Sequence, residues 1–438
     1  LGHAFWICTD VAACAGFLAA TYHGLRWINR PTTGKSVAAA IAIALAISCK
    51  FSCVLVIPGL ALAMIIRPLP ILFDDDDQKW RNYFDSLPSM KQFAIMAVVG
   101  FVTLWATYLF NIGPLADQSA FNDQKEWQRL PAILKNTPIP MPSLPLGILR
   151  LLGHNRYGHS AYLNGQIRMH GWWYYFPEAI ALKSPLALLV GIVIALILLF
   201  RLGKPRLWPA AGFILPPAIF LAAAMKGNLD IGIRHMLPII PFLYLLVCTY
   251  LVRARWILWL MVLIGVCFME TAWVHPEYVS FFNLAAGGPS HGDRFLVDSN
   301  LDWGQDIALL SRWLHSDANK GISYSSRLFM YPVKPLDAAL DIDPAAQTKP
   351  PIGIFIISQN VKTGATPTST DNLEDRQSPG DFTWLEKFPI VKRIGYSILV
   401  YNVSEPSGPT ATKIREDIRN TSQPQFSTGD TQDELRVK

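Results

Sequence analysis

Charge is what this chain has least of. Asp, Glu, Lys and Arg make up 16% of its 438 residues, against about 25% in an ordinary soluble protein. Hydrophobic residues reach 51%, and mean hydropathy is positive at +0.28. That balance argues against a soluble globular protein. Cysteine is absent from the polar stretches: Cys8, Cys14, Cys49, Cys53, Cys248 and Cys267 all lie in apolar segments. The placement excludes a disulfide framework and a zinc pattern and leaves small core residues. No internal repeat and no signal peptide is visible. The first residue is Leu rather than Met, so the chain is expected to begin inside a longer protein. The net charge of +6 does not indicate nucleic acid, because the basic residues sit mostly in short loops between apolar segments.

What the chain does have is long hydrophobic runs, several near the roughly 20 residues that cross a bilayer. Eight spanning candidates cover about 5–25, 37–49, 51–66, 93–112, 180–200, 207–224, 236–252 and 256–273. The second and third are short and split by Lys50, as a tight hairpin or one broken element. One set of loops is basic: Arg26, Arg30 and Lys35; Arg201, Lys204 and Arg206; Arg253 and Arg255. The 67–92 loop is mixed, with a solvated Asp74–Asp77 run. These loops are expected in the cytoplasm by the positive-inside rule. The other set faces outside: the chain start, Lys50, loop 113–179, loop 225–235 and everything after about 274. Eight crossings put both ends outside, so a protein starting in the cytoplasm would carry an odd number of further helices upstream.

The expected organisation is a membrane domain over 1–274, an extracytoplasmic α/β-type domain over 275–403 and a disordered tail over 404–438. The tail is polar and rich in Pro, Ser and Thr. The outer loop 113–179 is too long for a simple connector and should fold on the membrane surface. Its WWYYF run at 172–176 reads as an interfacial aromatic belt. In the outer domain, IGIFIIS and YSILVYNV read as strands.

An Arg–His pair, Arg234-His235, opens the apolar run IRHMLPIIPFLYLLV. Ionisable groups at a membrane boundary point to function, and the planar guanidinium suits phosphate. The plain alternative is a snorkelling arginine that anchors a helix end. Asp10 stands at the same outer level, as a general base, a metal ligand or a helix-end cap. Lys50 is a phosphate contact or a turn residue. Glu178 agrees with a helix dipole, while Lys183 lies a turn deeper, where solvation explains it less well. His154, His159 and His170 lack a zinc spacing. Asp298, Asn300, Asp302 and Asp306 alternate like calcium ligands. However, Trp303 and Leu309 stand where an EF-hand needs Gly and Glu. A structural Asp/Asn turn is the plainer reading. His170, Glu178, Asp298 and Asp302 remain candidates for an outer-face site.

Several of these stretches carry a resemblance. GHSAYLNGQ followed by GWWYYFPEAIALKSPL resembles the outer loop and following helix of bacterial family 39 glycosyltransferases. GIRHMLPIIPFLY resembles their Arg-containing helix start. HPEYVSFFNLAAGGPSHGDRFLVDSNLDWGQD resembles a further common segment. CTDVAACAGFLAATY and ISCKFSCVLVIP resemble their TD helix and basic hairpin. The similarity runs from residue 1 to about 403 in consistent order. These enzymes are similar to protein O-mannosyltransferases and the lipid A aminoarabinose transferase, and share the GT-C fold.

The resemblance implies an inverting transfer, on the outer face of a bacterial inner membrane, from a polyprenyl-phosphate sugar to a lipid, glycan or protein hydroxyl. It implies a catalytic role for Asp10 near the donor phosphate, with a divalent metal as an optional partner. It assigns Arg234, His235, Lys50 and Lys183 to the phosphate. The family's first outer loop, with its acidic base candidate, would lie upstream of Leu1. Two other classes compete: a transporter or flippase of lipid-linked sugars, and a non-catalytic truncated homologue. A transporter should show inverted repeats and a polar midplane, whereas this chain keeps its charges at the boundary.

Overall fold

The computed structural model describes residues 9–68, 77–117, 127, 130–202, 207–316, 319, 353–365 and 382–403. The tail expected over 404–438, and Asp74, Asp75 and Asp76 of the acidic run, lie outside the described residues. The chain divides into two compact units, Leu1–Trp303 and Gly304–Lys438.

The first unit is helical. Its elements are α1 (Thr9–Asn29), α2 (Thr33–Cys49), α3 (Val56–Ile66), α4 (Asp77–Asp85), α5 (Met90–Thr107), α6 (Ala132–Asn136), α7 (Ser143–Tyr157), α8 (Tyr175–Lys183), α9 (Leu186–Arg201), α10 (Leu207–Lys226), α11 (Ile240–Arg253) and α12 (Ile257–Ala272). Two short hairpins, β1–β2 (Ile112–Gly113 with Ile139–Pro140) and β3–β4 (Ala161–Leu163 with Gln166–Arg168), lie between α5 and α8. Two helical stretches, Tyr83–Thr107 and Ile233–Arg253, are long and apolar enough to cross a membrane. The bent pair α8–α9 would make a third, and Thr33–Cys49, Phe51–Ile66, Gly212–Lys226 and Ile257–Ala272 are shorter apolar helices. Large apolar side chains stand exposed along α5 (Phe93, Val98, Phe101) and α12 (Leu258, Trp259, Phe268). In water such faces would be a liability, whereas in hydrocarbon they are at rest.

Packing follows the small residues. α1 lies on α2, α2 on α5, and α3 on α10. Gly59 of α3 allows that last approach, because a Cβ there would stand 2.6 Å from the Pro216 backbone. α9 packs on α11 and α12 through Leu188, Ala195, Leu198, Val247, Tyr250 and Leu251. The five described cysteines are free.

Two breaks position the site. At Lys50 the chain turns extended (φ −161, ψ 128) before a 3-10 turn, Phe51–Leu55, leads into α3. α2 and α3 are not packed on each other as a hairpin; the element is broken, with α2 lying on α1 and α5 and α3 mainly on α10. The second break corrects the single span expected over 180–200. α8 and α9 meet at 114°. Pro185 forces the extended backbone of Ser184 (φ −98, ψ 146). Asn283 Nδ2 donates to the Ala181 and Ser184 carbonyls at 2.6 and 2.9 Å. On α12, the Glu270 carboxylate accepts from Leu186 N and Ala187 N at 3.2 and 3.4 Å. It thereby caps α9 from a neighbouring helix.

The second unit holds a three-stranded antiparallel sheet in the order β5 (Gly353–Ser358), β7 (Ile398–Val403), β6 (Ile390–Ile394). Both strands read from the sequence are present and pair with each other from Gly353↔Val403 to Ser358↔Ile398. α13 (Ile307–Leu314) sets Leu310 and Leu314 against Phe355, Ile357, Leu399 and Tyr401, and α14 (Gln359–Lys362) follows β5. The division falls at Trp303/Gly304 rather than near 274, because 275–303 is strapped to the helical unit. Asn283 N donates to Leu182 O, and Asn164 N donates to Phe295 O, both at 3.0 Å.

Candidate functional site

Three helix boundaries converge on Asp10. Its carboxylate stands in the first turn of α1, where the helix dipole favours an anion, and the residue is 2% exposed. A carboxylate so buried needs a partner. Lys50, at the break after α2, brings Nζ to 2.5 Å from Asp10 Oδ1. Arg234, in the 3-10 turn Ile233–Ile239 that leads into α11, places Nη1 3.6 Å from Oδ2. Lys50 Nζ lies 3.4 Å from His235 Nδ1. The structure thus brings Asp10, Lys50, Arg234 and His235 into one cluster. Two cations, Lys50 and Arg234, face the Asp10 carboxylate, and the Asp298 carboxyl is a further acidic group near Arg234. The lysine and arginine side chains are 17% and 23% exposed, the aspartate side chain only 3%. An arriving anion therefore meets cations first.

Of the other residues singled out from the sequence, Lys183 and Glu178 make their hydrogen bonds elsewhere. Lys183 donates to the Val279 and Asn300 carbonyls at 2.7 and 2.5 Å, and its Nζ lies 4.3 Å from the centre of the Phe282 ring. Its ammonium is thus a strut that ties α8 to the 275–303 segment. Glu178 accepts from Asn164 Nδ2 at 2.8 Å. His170 is exposed, and the His154 and His159 rings stand 5.3 Å apart. Among the described residues no group of three or more His, Cys, Asp or Glu gathers to hold a metal. The surroundings of Asp10 are cationic, which suits an anion better than a second metal charge. Asp302 is buried, and its backbone N–H donates to Asp298 O at 3.0 Å. Asp298 is buried close to Arg234; burial pushes its carboxyl up to about 6, with the guanidinium pulling it back.

Sequence reasoning missed Ser299, Trp303 and Asp230. Ser299 Oγ accepts from Arg234 Nε at 3.3 Å, and the guanidinium carbon lies 4.8 Å from the centre of the Trp303 ring. Only the neighbourhood of Asp298 and Asn300 in the motif hinted at them. Asp230 is 2% exposed and accepts from Trp172 N at 2.7 Å through Oδ2, while Oδ1 has no hydrogen-bond partner among the described residues. Burial pushes its carboxyl up to about 7, and the Trp172 N–H lowers it only in part. A carboxyl raised on folding stabilises the fold fully below its unfolded value near 4, and this contribution is lost as pH rises through about 7. The Asp230→Asn variant should therefore differ least from the wild type below about pH 4 and gain in melting temperature relative to it from there to pH 8. Melting curves in detergent across that range decide it; an equal fall with pH in both proteins would mean that Asp230 is not the titrating group.

No protein-family model matches the chain, and neither a curated protein nor a solved structure does.

Proposed function

We propose that this protein is a multi-pass glycosyltransferase of the GT-C type in a bacterial inner membrane. It would move a hexose or pentose from a polyprenyl-phosphate donor to an acceptor hydroxyl on the outer face. In this reading the helices make eight crossings and the unit after Gly304 lies outside. The observation that carries the reading is the meeting of Asp10, Lys50, Arg234 and His235 from three separate helix ends. An apolar groove of about 450 Å³ adds support. Ile47, one turn before Lys50, is among its lining residues, together with Ile57, Phe93 and Leu104. Its chemistry suits a hydrocarbon chain.

The reaction is a displacement. The acceptor hydroxyl gives its proton to a carboxylate, and its oxygen attacks the anomeric carbon. The bond from that carbon to the phosphate oxygen breaks, and the electron pair leaves with polyprenyl phosphate. Lys50 and Arg234 meet the growing charge, a contribution of several kcal/mol in a preorganised site. Asp10 begins as their counter-ion. A phosphate that takes over those cations releases the carboxylate from its ion pairs at the moment a proton must be accepted.

The test is reconstitution in sealed vesicles with polyprenyl-phosphate-linked hexoses and pentoses. Release of free polyprenyl phosphate together with a glycosylated acceptor supports a transferase. Movement of an intact donor between leaflets without release would replace it with a flippase. No change in any donor would leave a binding protein.

A further inference from the structure

We propose that the segment Asp298–Trp303 is the positioning element of Arg234, with Ser299 and Trp303 as the residues that aim its guanidinium. The inference rests on the reading that Arg234 receives a phosphate, and it assigns roles to residues that do not themselves touch the anion.

The geometry builds up from the backbone. Asp298 adopts a left-handed conformation, φ 58, unusual for a residue with a side chain. The chain turns sharply there and returns over the 231–234 turn. Ser299 Oγ then donates to Ile231 O. Asn300 Oδ1 accepts from Ile233 N at 2.8 Å, and its Nδ2 donates to the Tyr175 hydroxyl and to Val297 O at 2.9 and 3.1 Å. Between these two anchors Gly232 takes φ 145, and a Cβ there would collide with Ser299 Oγ. The turn that carries Arg234 is thus gripped at two backbone positions, Ile231 and Ile233, on either side of Gly232.

The side chain is gripped next. Arg234 Nε donates to Ser299 Oγ at 3.3 Å, which fixes the inner edge of the guanidinium. The Trp303 ring, 4.8 Å away, restrains the plane by a cation–π contact. Among the described residues, neither terminal nitrogen donates a hydrogen bond; Nη1 reaches Asp10 only at 3.6 Å. A guanidinium held at its inner edge and against an aromatic ring presents its outer fork with little rotational freedom left to lose. That is the arrangement a bidentate phosphate contact requires.

The experiment measures binding of polyprenyl monophosphate, the leaving group, to the full chain in vesicles. The variants are Arg234→Ala, Trp303→Leu, Trp303→Phe, Ser299→Ala and the double variant Arg234→Ala/Trp303→Leu. Melting temperature is followed alongside. Wild type should bind, and Arg234→Ala should lose most of the affinity. Trp303→Leu should weaken binding about tenfold, the order of a cation–π contact plus lost preorganisation. Trp303→Phe, which keeps an aromatic face, should stay within about threefold, whereas a pure packing role would favour leucine at least as well. In the Arg234→Ala background, Trp303→Leu should change nothing further, because a residue that acts through the arginine has nothing left to aim. Additive losses in the double variant, or leucine equalling phenylalanine, overturn the positioning role while leaving the phosphate reading in place. Failure of the wild type to bind overturns both.

Discussion

Arg234→Ala should lower sugar transfer by about 100- to 1,000-fold, the size expected when one preorganised donor to a developing oxyanion is removed. The side chain is 23% exposed and does not fill the core, so the variant should fold. Its loss leaves Asp10 with Lys50, a pair at 2.5 Å that is self-sufficient in charge. Arg234→Lys should recover only part of the rate. A lysine keeps the charge but loses both the Ser299 contact through Nε and the planar face toward Trp303. Steady-state transfer in vesicles reads both variants. Near-normal transfer by the alanine variant, with expression unchanged, would remove Arg234 from the reaction and return it to the role of a helix-end anchor.

Asp10→Asn should separate binding from chemistry. The substitution removes the carboxylate that pairs with both Lys50 and Arg234, so the cluster gains net positive charge and the donor should bind at least as tightly. The proton acceptor is lost at the same time, and the catalytic step should fall by about 100-fold or more, within the usual range for a general base. The expected signature is a lowered or unchanged KM with a collapsed kcat. An unchanged kcat would mean that Asp10 only organises the two cations and that another carboxylate takes the proton. The variant leaves two buried-edge cations without a counter-ion, so its melting temperature should be followed at several salt concentrations.

Much of this arrangement was legible in the sequence, for identifiable reasons. The apolar runs announce the helices because they are long and carry few charges to interrupt them. The cluster was legible because Asp10, Lys50 and Arg234 are charges placed at the margins of such runs, where each is expensive and therefore conspicuous. The strands Gly353–Ser358 and Ile398–Val403 were legible from their β-branched and aromatic content. Lys183 misled for the opposite reason. Its position gives no sign that two backbone carbonyls from a distant segment, those of Val279 and Asn300, would claim its ammonium. The bend at Pro185 was in plain view as a proline, yet the hydropathy around it is continuous, and hydropathy alone reads through a turn. Ser299 and Trp303 escaped because their part is relational. Nothing in the character of a serine or a tryptophan says which arginine it will meet.

The straps that complete the site also impose an order on its assembly. Lys50 and His235 are 185 positions apart in the chain, and Lys183 and Asn300 are 117 apart. Contacts of such long sequence separation form only after the intervening chain has been made and its loops closed. The helices can form one after another during synthesis, but the turn that carries Arg234 lacks its Ser299 and Asn300 anchors until that segment has left the ribosome. Until then the nascent chain holds its charges at the helix ends but does not yet have them aimed.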